Sequence, residues 1–104
     1  MPVTTLEGRT LHVDAEGFLT ELDEWDEDVA RALAHQIGID LTDQHLELLR
    51  FLRKDFAAKG ETPTTRRVQS EGGFPVKDQF ALFPGKPAKK MAYVAGLPKP
   101  HGCV

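Results

Sequence analysis

Cysteine is the scarcest reactive residue in this sequence, which contains one, Cys103, a single residue before the end. One cysteine cannot form a disulfide within the chain, so a disulfide-stabilised fold is excluded and a reducing compartment is favoured. The sequence also lacks an apolar run of the roughly 20 residues that cross a bilayer, and its first residues do not have a signal-peptide pattern. These absences predict a cytoplasmic protein.

Several kinds of catalytic or cofactor site also lack their sequence patterns. No glycine-rich phosphate loop occurs, and the carboxylates show no pairing that predicts acid–base catalysis. Each of the four histidines lies in a different predicted element without a second ligand at metal-binding spacing: His12, His35, His45 and His101. We therefore predict no metal and no cofactor, and we expect His35 and His45 to be surface or half-buried helical residues.

Charge is unevenly distributed along the chain, whose net charge is −3. Residues 1–49 carry 12 acids and two bases, whereas residues 50–104 carry four acids and 11 bases. The two halves can form solvated faces that attract each other within one fold. Alternatively, the basic half can meet an acidic protein partner or RNA, because such fields steer association. The asymmetry leaves both interpretations open.

The hydrophobic pattern predicts one domain over residues 1–104, with a mostly α fold, a small bundle of about five helices and an N-terminal β-hairpin. The hairpin is expected within residues 4–20, with turns at Gly8 and at 14–17. Caps, prolines and glycines set the predicted helix limits: Asp26–Ile37, a helix after Thr42 to Ala58, Pro63–Ser70 capped by Thr62, Pro75–Phe83, and Pro87 to the stop at Gly96.

The second and third predicted helices resemble a helix-turn-helix, with Arg66 and Arg67 expected to face outward. This arrangement raises the alternative of a small DNA-binding regulator. Helix pairs of this kind are also common packing units, and the net charge is negative. In the fourth helix we expect Val76, Phe80 and Phe83 to face the core, and we interpret Trp25 as a core anchor or a staple at the first helix.

The last nine residues predict an extended, mobile arm that carries a thiol near its tip. Pro98 and Pro100 exclude helix and favour extended backbone, and nine extended residues span up to ~30 Å. A thiol on such an arm can accept sulfur as a persulfide or form a mixed disulfide in a partner's active site. The nearby Lys99 and His101 would favour the thiolate or contact the partner, whereas the terminal carboxylate opposes ionisation.

These residues resemble the signature of the DsrC/TusE family of small sulfur-relay proteins, once called the gamma subunit of dissimilatory sulfite reductase. The arm motif Gly96-Leu97-Pro98-Lys99-Pro100-His101-Gly102-Cys103-Val104 is the most specific part. Similarity covers nearly the whole chain and includes these further positions: Gly8, Asp14, Gly17-Phe18-Leu19, Trp25, Gly38-Ile39, Arg50-Phe51, Leu82-Phe83-Pro84 and Pro87-Ala88-Lys89-Lys90.

The resemblance implies a helical fold with a hairpin and a mobile arm, and a persulfide carried by Cys103. Full DsrC proteins have a second arm cysteine at the position of Ala92, so the single-cysteine pattern is similar to TusE. TusE takes sulfur from the TusBCD complex and passes it to a tRNA 2-thiouridylase. Two departures are a short segment between the third and fourth helices and the order Gly85-Lys86, where Lys-Gly is expected.

We interpret the chain as a sulfur carrier with a sulfurtransferase-type role rather than an independent enzyme. Its expected partners are a sulfur donor, TusBCD-like or another persulfide donor, and an acceptor, a tRNA thiouridylase or a sulfite-reductase-like enzyme. Three alternatives remain open: a DsrC-like partner of a sulfite reductase or other sulfur-metabolism enzyme, a structural subunit of such a complex, and the DNA-binding regulator.

Overall fold

A two-stranded antiparallel hairpin precedes five α-helices in the computed structural model, which describes residues 3–6 and 8–99. The strands are β1 (Val3–Leu6) and β2 (Arg9–His12), and a short 3-10 helix follows at Leu22–Glu24. The helices are α1 (Glu27–Gln36), α2 (Asp43–Lys59), α3 (Thr65–Gly72), α4 (Val76–Leu82) and α5 (Pro87–Val94). The predicted mostly α class with an N-terminal hairpin is confirmed. None of the helices in these two ranges has the length and apolarity needed to cross a membrane.

The hairpin packs on α1, which explains how such short strands persist. β1 and β2 pair from Val3 with His12 to Leu6 with Arg9, and Val13 bridges to Leu19 across the turn at 14–17. Asp14 holds this turn, because its Oδ1 accepts from the backbone N–H groups of Glu16 and Phe18. The inner side chains form one apolar cluster with α1: Leu11, Val13, Leu19, Val29 and Leu33.

Two carboxylates connect the hairpin to the start of α1. Asp26 caps α1, its Oδ1 accepting from the Val29 N–H at 2.9 Å, and it also pairs with Arg9 at 2.9 Å. Glu24 accepts from the His12 backbone N–H at 2.7 Å and from His12 Nδ1 at 2.6 Å. The His12 N–H lowers the pKa of Glu24, and the Val29 N–H followed by Arg9 lowers the pKa of Asp26.

The lowered pKa values of Glu24 and Asp26 predict that the contacts between the hairpin and α1 weaken at acidic pH. A carboxyl group whose pKa is lower in the folded chain adds stability above its unfolded pKa, and that stability is lost as the pH falls through the folded pKa. We expect Glu24→Gln to reduce the free energy of unfolding at neutral pH and to flatten its decline below the ordinary glutamate value of 4.5. Urea unfolding measured across this pH range tests the prediction. Glu21→Gln at an exposed neighbouring glutamate is the control, and parallel curves for the parent and Glu24→Gln would contradict it.

α2 begins at a capping box, in which the Thr42 N–H donates to His45 Nδ1 at 3.1 Å. His45 Nε2 donates to the Leu82 carbonyl at 2.9 Å, and its ring lies edge-on to Phe83. The expectation of a surface or half-buried His45 is therefore wrong, since this side chain is buried. The predicted Thr42 cap is confirmed, and Gly60 ends α2 in the left-handed conformation.

α3 starts two residues later than predicted. Thr64 is its N-cap, because the Thr64 Oγ1 accepts from the Arg67 N–H at 3.2 Å, and the helix continues to Gly72. The predicted cap, Thr62, uses its hydroxyl to donate to the Pro98 carbonyl. Sequence alone did not distinguish Thr62 from Thr64, because either threonine has the chemistry of a cap.

α4 places Gln79, rather than Phe80, in the core. Gln79 is fully buried and its Nε2 donates to the Thr65 and Phe74 carbonyls at 3.0 and 2.8 Å. Phe80 is 51% exposed, so its predicted inward position is wrong. Successive helical residues point about 100° apart, so Gln79 and Phe80 cannot both face the same side. Gln79, unlike Phe80, has an amide that donates to these two carbonyls.

α5 is a core helix, as predicted, with Pro87 at its first position. The residues before it, Gly85 and Lys86, both have positive φ, 65° and 40°. The Lys-Gly order expected from the resemblance would place glycine at the second of these left-handed positions. α1, α2 and α5 contribute most of the main core: Phe18, Ala30, Ala34, Leu46, Leu48, Leu49, Leu52, Val68, Phe83, Met91, Ala92, Val94, Ala95 and Leu97.

Candidate functional site at the root of the C-terminal arm

The structure describes the first four residues of the predicted arm, Gly96–Lys99, which we call the arm root. Four predicted site residues lie outside the described residues: Pro100, His101, Gly102 and Cys103. Their roles remain predictions. The arm root shows where this terminal segment leaves the helical body.

Gly96 and Leu97 belong to the end of α5. The Gly96 N–H donates to Tyr93 O at 3.3 Å and the Leu97 N–H to Ala92 O at 3.0 Å, which is the Schellman pattern of helix termination. Gly96 has φ +70°, as this motif requires, and the Leu97 side chain is 1% exposed. These two residues, predicted as part of the arm, are therefore packed in the body, and the exposed chain begins at Pro98.

Trp25 and Arg53 close over this helix end. The Trp25 indole N–H donates to Val94 O at 2.8 Å, and Arg53 Nη1 donates to Ala95 O at 2.7 Å. The Arg53 guanidinium lies 4.4 Å from the centre of the Trp25 ring, and its Nη2 donates to Leu22 O at 2.9 Å. Burial lowers the pKa of Arg53. We call these two side chains the Trp25–Arg53 clamp.

Gly96 fits under the clamp because it has no side chain. A Cβ at this position would lie 2.6 Å from Trp25 Cδ1 and 2.9 Å from Leu19 Cδ1. The glycine therefore serves two purposes, since it adopts a left-handed backbone and lets the indole approach. The sequence predicted only the first of these, as a helix stop.

Two weaker contacts hold the exposed part of the arm root. The Thr62 hydroxyl donates to the Pro98 carbonyl at 2.7 Å, and Lys99 Nζ lies 3.1 Å from Glu16 Oε1. The Lys99 and Glu16 side chains are 43% and 48% exposed, and an ion pair of this kind contributes about 0–1 kcal/mol. This ion pair therefore contributes little to holding the arm root on the body.

The predicted DNA-reading pair is not available as a pair. Arg66 is exposed, but Arg67 pairs with the buried Asp55 and with Glu61, both at 2.9 Å, and its side chain is 18% exposed. The prediction that Arg67 faces outward is wrong, because an arginine at this position compensates the buried carboxylate of α2. Of these two arginines, Arg66 alone is therefore available to contact a DNA groove.

The histidines of the described residues lie apart, in β2, α1 and α2: His12, His35 and His45. Across residues 3–6 and 8–99, no group of three His, Cys, Asp or Glu side chains has the proximity that a metal ion needs. His12 and His45 have structural partners already described, and His35 is exposed.

Sequence reasoning missed how Arg53 and Thr62 act on the arm root. No sequence pattern singled out Arg53, and Thr62 was predicted only as a helix cap. Both side chains bind backbone carbonyls more than 30 residues away in sequence. Such contacts leave no local pattern, so periodicity and capping rules do not find them.

Comparison with known proteins assigns the family. The family model described as "DsrC like protein" matches residues 5–104. The chain belongs to the DsrC-like family. The predicted membership is thereby confirmed over nearly the whole sequence.

The relatives are named either as sulfite reductase gamma subunits or as sulfurtransferases. The chain is 34% identical to the dissimilatory-type sulfite reductase subunit gamma of Nitratidesulfovibrio vulgaris, with all of both chains covered. It is 36% identical to the sulfurtransferase TusE of Pectobacterium atrosepticum, over 94% of this chain and 96% of that protein. The crystal structure of the oxidised gamma subunit (DsrC) from Archaeoglobus fulgidus aligns with TM-score 0.79 and 38% identity, covering 99% of this chain and all of that one.

Proposed function

We propose that this DsrC-like protein is a sulfur carrier, in which Cys103 accepts sulfane sulfur as a persulfide and relays it to an acceptor. Membership of a family that includes sulfurtransferases supports the sulfur chemistry. Cys103 is the only thiol in the sequence that can form a persulfide. The observation that carries the proposal is this single cysteine, placed six residues beyond the buried Leu97.

The proposed reaction moves one sulfur atom without net oxidation or reduction of the carrier and donor taken together. The Cys103 thiolate attacks the terminal sulfur of the donor's persulfide, the donor S–S bond breaks, and the donor leaves as a thiolate. A nucleophile of the acceptor then attacks the terminal sulfur of the Cys103 persulfide. Its S–S bond breaks and the Cys103 thiolate is regenerated, so the protein acts as a carrier rather than as an independent enzyme.

The arm root sets the reach of this relay. Leu97 is held in the core, and the six residues from Pro98 to Cys103 would span at most ~20 Å if fully extended. This is shorter than the ~30 Å expected for an arm that starts at residue 96 and extends to the end of the chain. The donor and acceptor sites must therefore approach the face where Trp25, Arg53 and Thr62 surround the arm root.

We propose a TusE-like exchange between two partners. Cys103 is the only cysteine in the sequence, so it cannot form an internal disulfide. The position where full DsrC proteins have a second cysteine is Ala92, which is buried on α5. A carrier with one thiol passes sulfur by successive attacks, which suits a TusBCD-like or other persulfide donor and a tRNA thiouridylase acceptor. The proposed compartment is the cytoplasm, because a single free thiol is kept reduced there.

A second candidate is a DsrC-like role beside a sulfite-reductase-like enzyme. The near-equal identities to a sulfite reductase gamma subunit and to a TusE protein, 34% and 36%, favour neither relative. Co-purification of the intact chain with either class of partner distinguishes the two roles. The DNA-binding alternative is less well supported, because Arg67 is engaged by Asp55 and Glu61.

Intact mass after incubation with a low-molecular-weight persulfide tests the proposal. We expect a gain of one sulfur atom that a reductant removes. Lys99→Gln is an informative second protein, since it keeps the thiol but removes the nearby cation. If Lys99 stabilises the thiolate, this variant loads more slowly to the same final mass. The absence of any gain in the parent protein would overturn the proposed function.

A further inference from the structure

We propose that Arg53 is a positioning residue for Cys103. Together with Trp25, it fixes the point and direction at which the arm leaves the body, and so it limits the volume that the thiol explores. The inference rests on the proposed role of Cys103, but its structural basis lies entirely within the described residues. Arg53 itself does not touch the transferred sulfur in this proposal.

The end of α5 has an unusually complete set of hydrogen bonds. A helix leaves its last four carbonyls without partners inside the helix. Here backbone N–H groups of the arm root bind the carbonyls of Ala92 and Tyr93, whereas side chains from distant segments bind the next two. Trp25 donates to Val94 O and Arg53 donates to Ala95 O. All four carbonyls are satisfied, so the exit of the chain from α5 has a defined geometry.

Arg53 connects three segments of the chain at this point. Its two terminal nitrogens donate to Ala95 O on α5 and to Leu22 O on the 3-10 helix, while its guanidinium stacks on Trp25. A planar fork with several donors can make these contacts at once, whereas a lysine ammonium is a single compact charge. Arg53→Lys should therefore retain the charge but lose part of the positioning.

Leu97 and Thr62 extend the effect of the clamp into the exposed chain. The buried Leu97 side chain follows directly after Gly96, which lies under the Trp25 ring, and Thr62 binds the next carbonyl at Pro98. If the clamp opens, these contacts lose their support, and residues 96–99 no longer fix where the chain leaves the body. The volume that the Cys103 thiol explores then grows, and the thiol is less often directed toward a partner docked at the arm root.

Arg50 provides a matched control for Arg53. It lies one turn earlier on α2 and donates to Glu27 at 2.8 Å, and its side chain is 58% exposed. Replacing either arginine by methionine removes one positive charge and keeps an unbranched stem. Only the change at Arg53 removes the contacts with Ala95, Leu22 and Trp25.

Pulsed dipolar electron paramagnetic resonance tests the proposal, with one nitroxide on Cys103 and a second on Gln44→Cys, an exposed position of α2. In Arg53→Met we expect the distance distribution to shift and to widen, because the Ala95 carbonyl and the Trp25 ring lose the guanidinium that fixes the end of α5. Arg50→Met should match the parent, and Arg53→Lys should fall between them.

A folded Arg53→Met protein with the parent's distance distribution would overturn the proposal. If Arg53→Met does not fold, Trp25→Phe answers the same question, because it keeps an aromatic ring but removes the N–H that binds Val94 O. In that case an unchanged distribution in Trp25→Phe is the contrary result. Persulfide loading of the unlabelled variants with a small donor is measured separately. If Arg53→Met gains sulfur normally but has a widened distance distribution, the role of Arg53 in positioning Cys103 is supported. If the parent protein itself gains no sulfur, the proposed sulfur-carrier function fails, and the distance measurement still tests the role of Arg53.

Discussion

Cys103→Ser should abolish the gain of sulfur while leaving the folded body unchanged. Serine replaces the only sulfur nucleophile in the sequence with a hydroxyl, which does not form a persulfide. The other sulfur atoms of the chain are in two methionine thioethers, which lack the proton and the nucleophilic thiolate needed for this exchange. We therefore expect complete loss of loading, not a partial reduction, when intact mass is measured after exposure to a low-molecular-weight persulfide.

Thermal unfolding provides the control for this loss. The apolar cores described above are formed by residues between Leu11 and Leu97, so Cys103→Ser should keep the parent's circular dichroism and midpoint of unfolding. Loss of loading with a normal melting curve then assigns the chemistry to Cys103. A serine variant that still gains sulfur, reversibly and with the parent's stoichiometry, would show that another atom carries it and would refute the proposed site.

Gly96→Ala should destabilise the fold more than other changes at helix ends. The new Cβ would lie within 3 Å of both Trp25 and Leu19. The left-handed backbone costs a residue with a side chain about 1–2 kcal/mol, and overpacking adds about 1–3 kcal/mol. The expected decrease in the free energy of unfolding is roughly 2–5 kcal/mol, measured by urea denaturation with the Trp25 fluorescence as the probe.

Gly38→Ala is the matched control that measures the cost of the left-handed backbone alone. Gly38 ends α1 in the same Schellman pattern, with Gly38 N–H to His35 O at 3.1 Å and Ile39 N–H to Ala34 O at 2.9 Å. Its φ is +75°, and a Cβ there would meet nothing within 4 Å. This variant should lose only about 1–2 kcal/mol. Equal losses at the two glycines would show that the indole moves aside freely and that the clamp is not rigid.

The two experiments separate chemistry from delivery. Cys103→Ser removes the proposed reactive atom without touching the arm root, whereas Gly96→Ala disturbs the arm root and leaves the thiol in place. A Gly96→Ala protein that remains folded should still gain sulfur from a small donor, because a small molecule does not need a directed arm. Its transfer to a protein acceptor should be impaired.

The sequence alone determined the fold class, most helix limits and the family. These features depend on local chemistry: the Asp26 and Thr42 caps, the left-handed Gly60, Pro87 at the start of α5, and a specific terminal motif with one cysteine. Each works through neighbours within a few residues, so it leaves a readable pattern. Where two residues had the same local chemistry, as with Thr62 and Thr64, the pattern did not decide between them.

Only the tertiary structure decided which side chains hold the arm root. Arg53 binds Ala95 from 42 residues away, and Trp25 binds Val94 from 69 residues away. Gln79 rather than Phe80 lies in the core, where it donates to the Thr65 and Phe74 carbonyls. Arg67 faces the buried Asp55 because a buried carboxylate needs a partner. Those needs arise only when distant segments meet, since burial and hydrogen-bond demand depend on the packed structure and not on neighbouring residues.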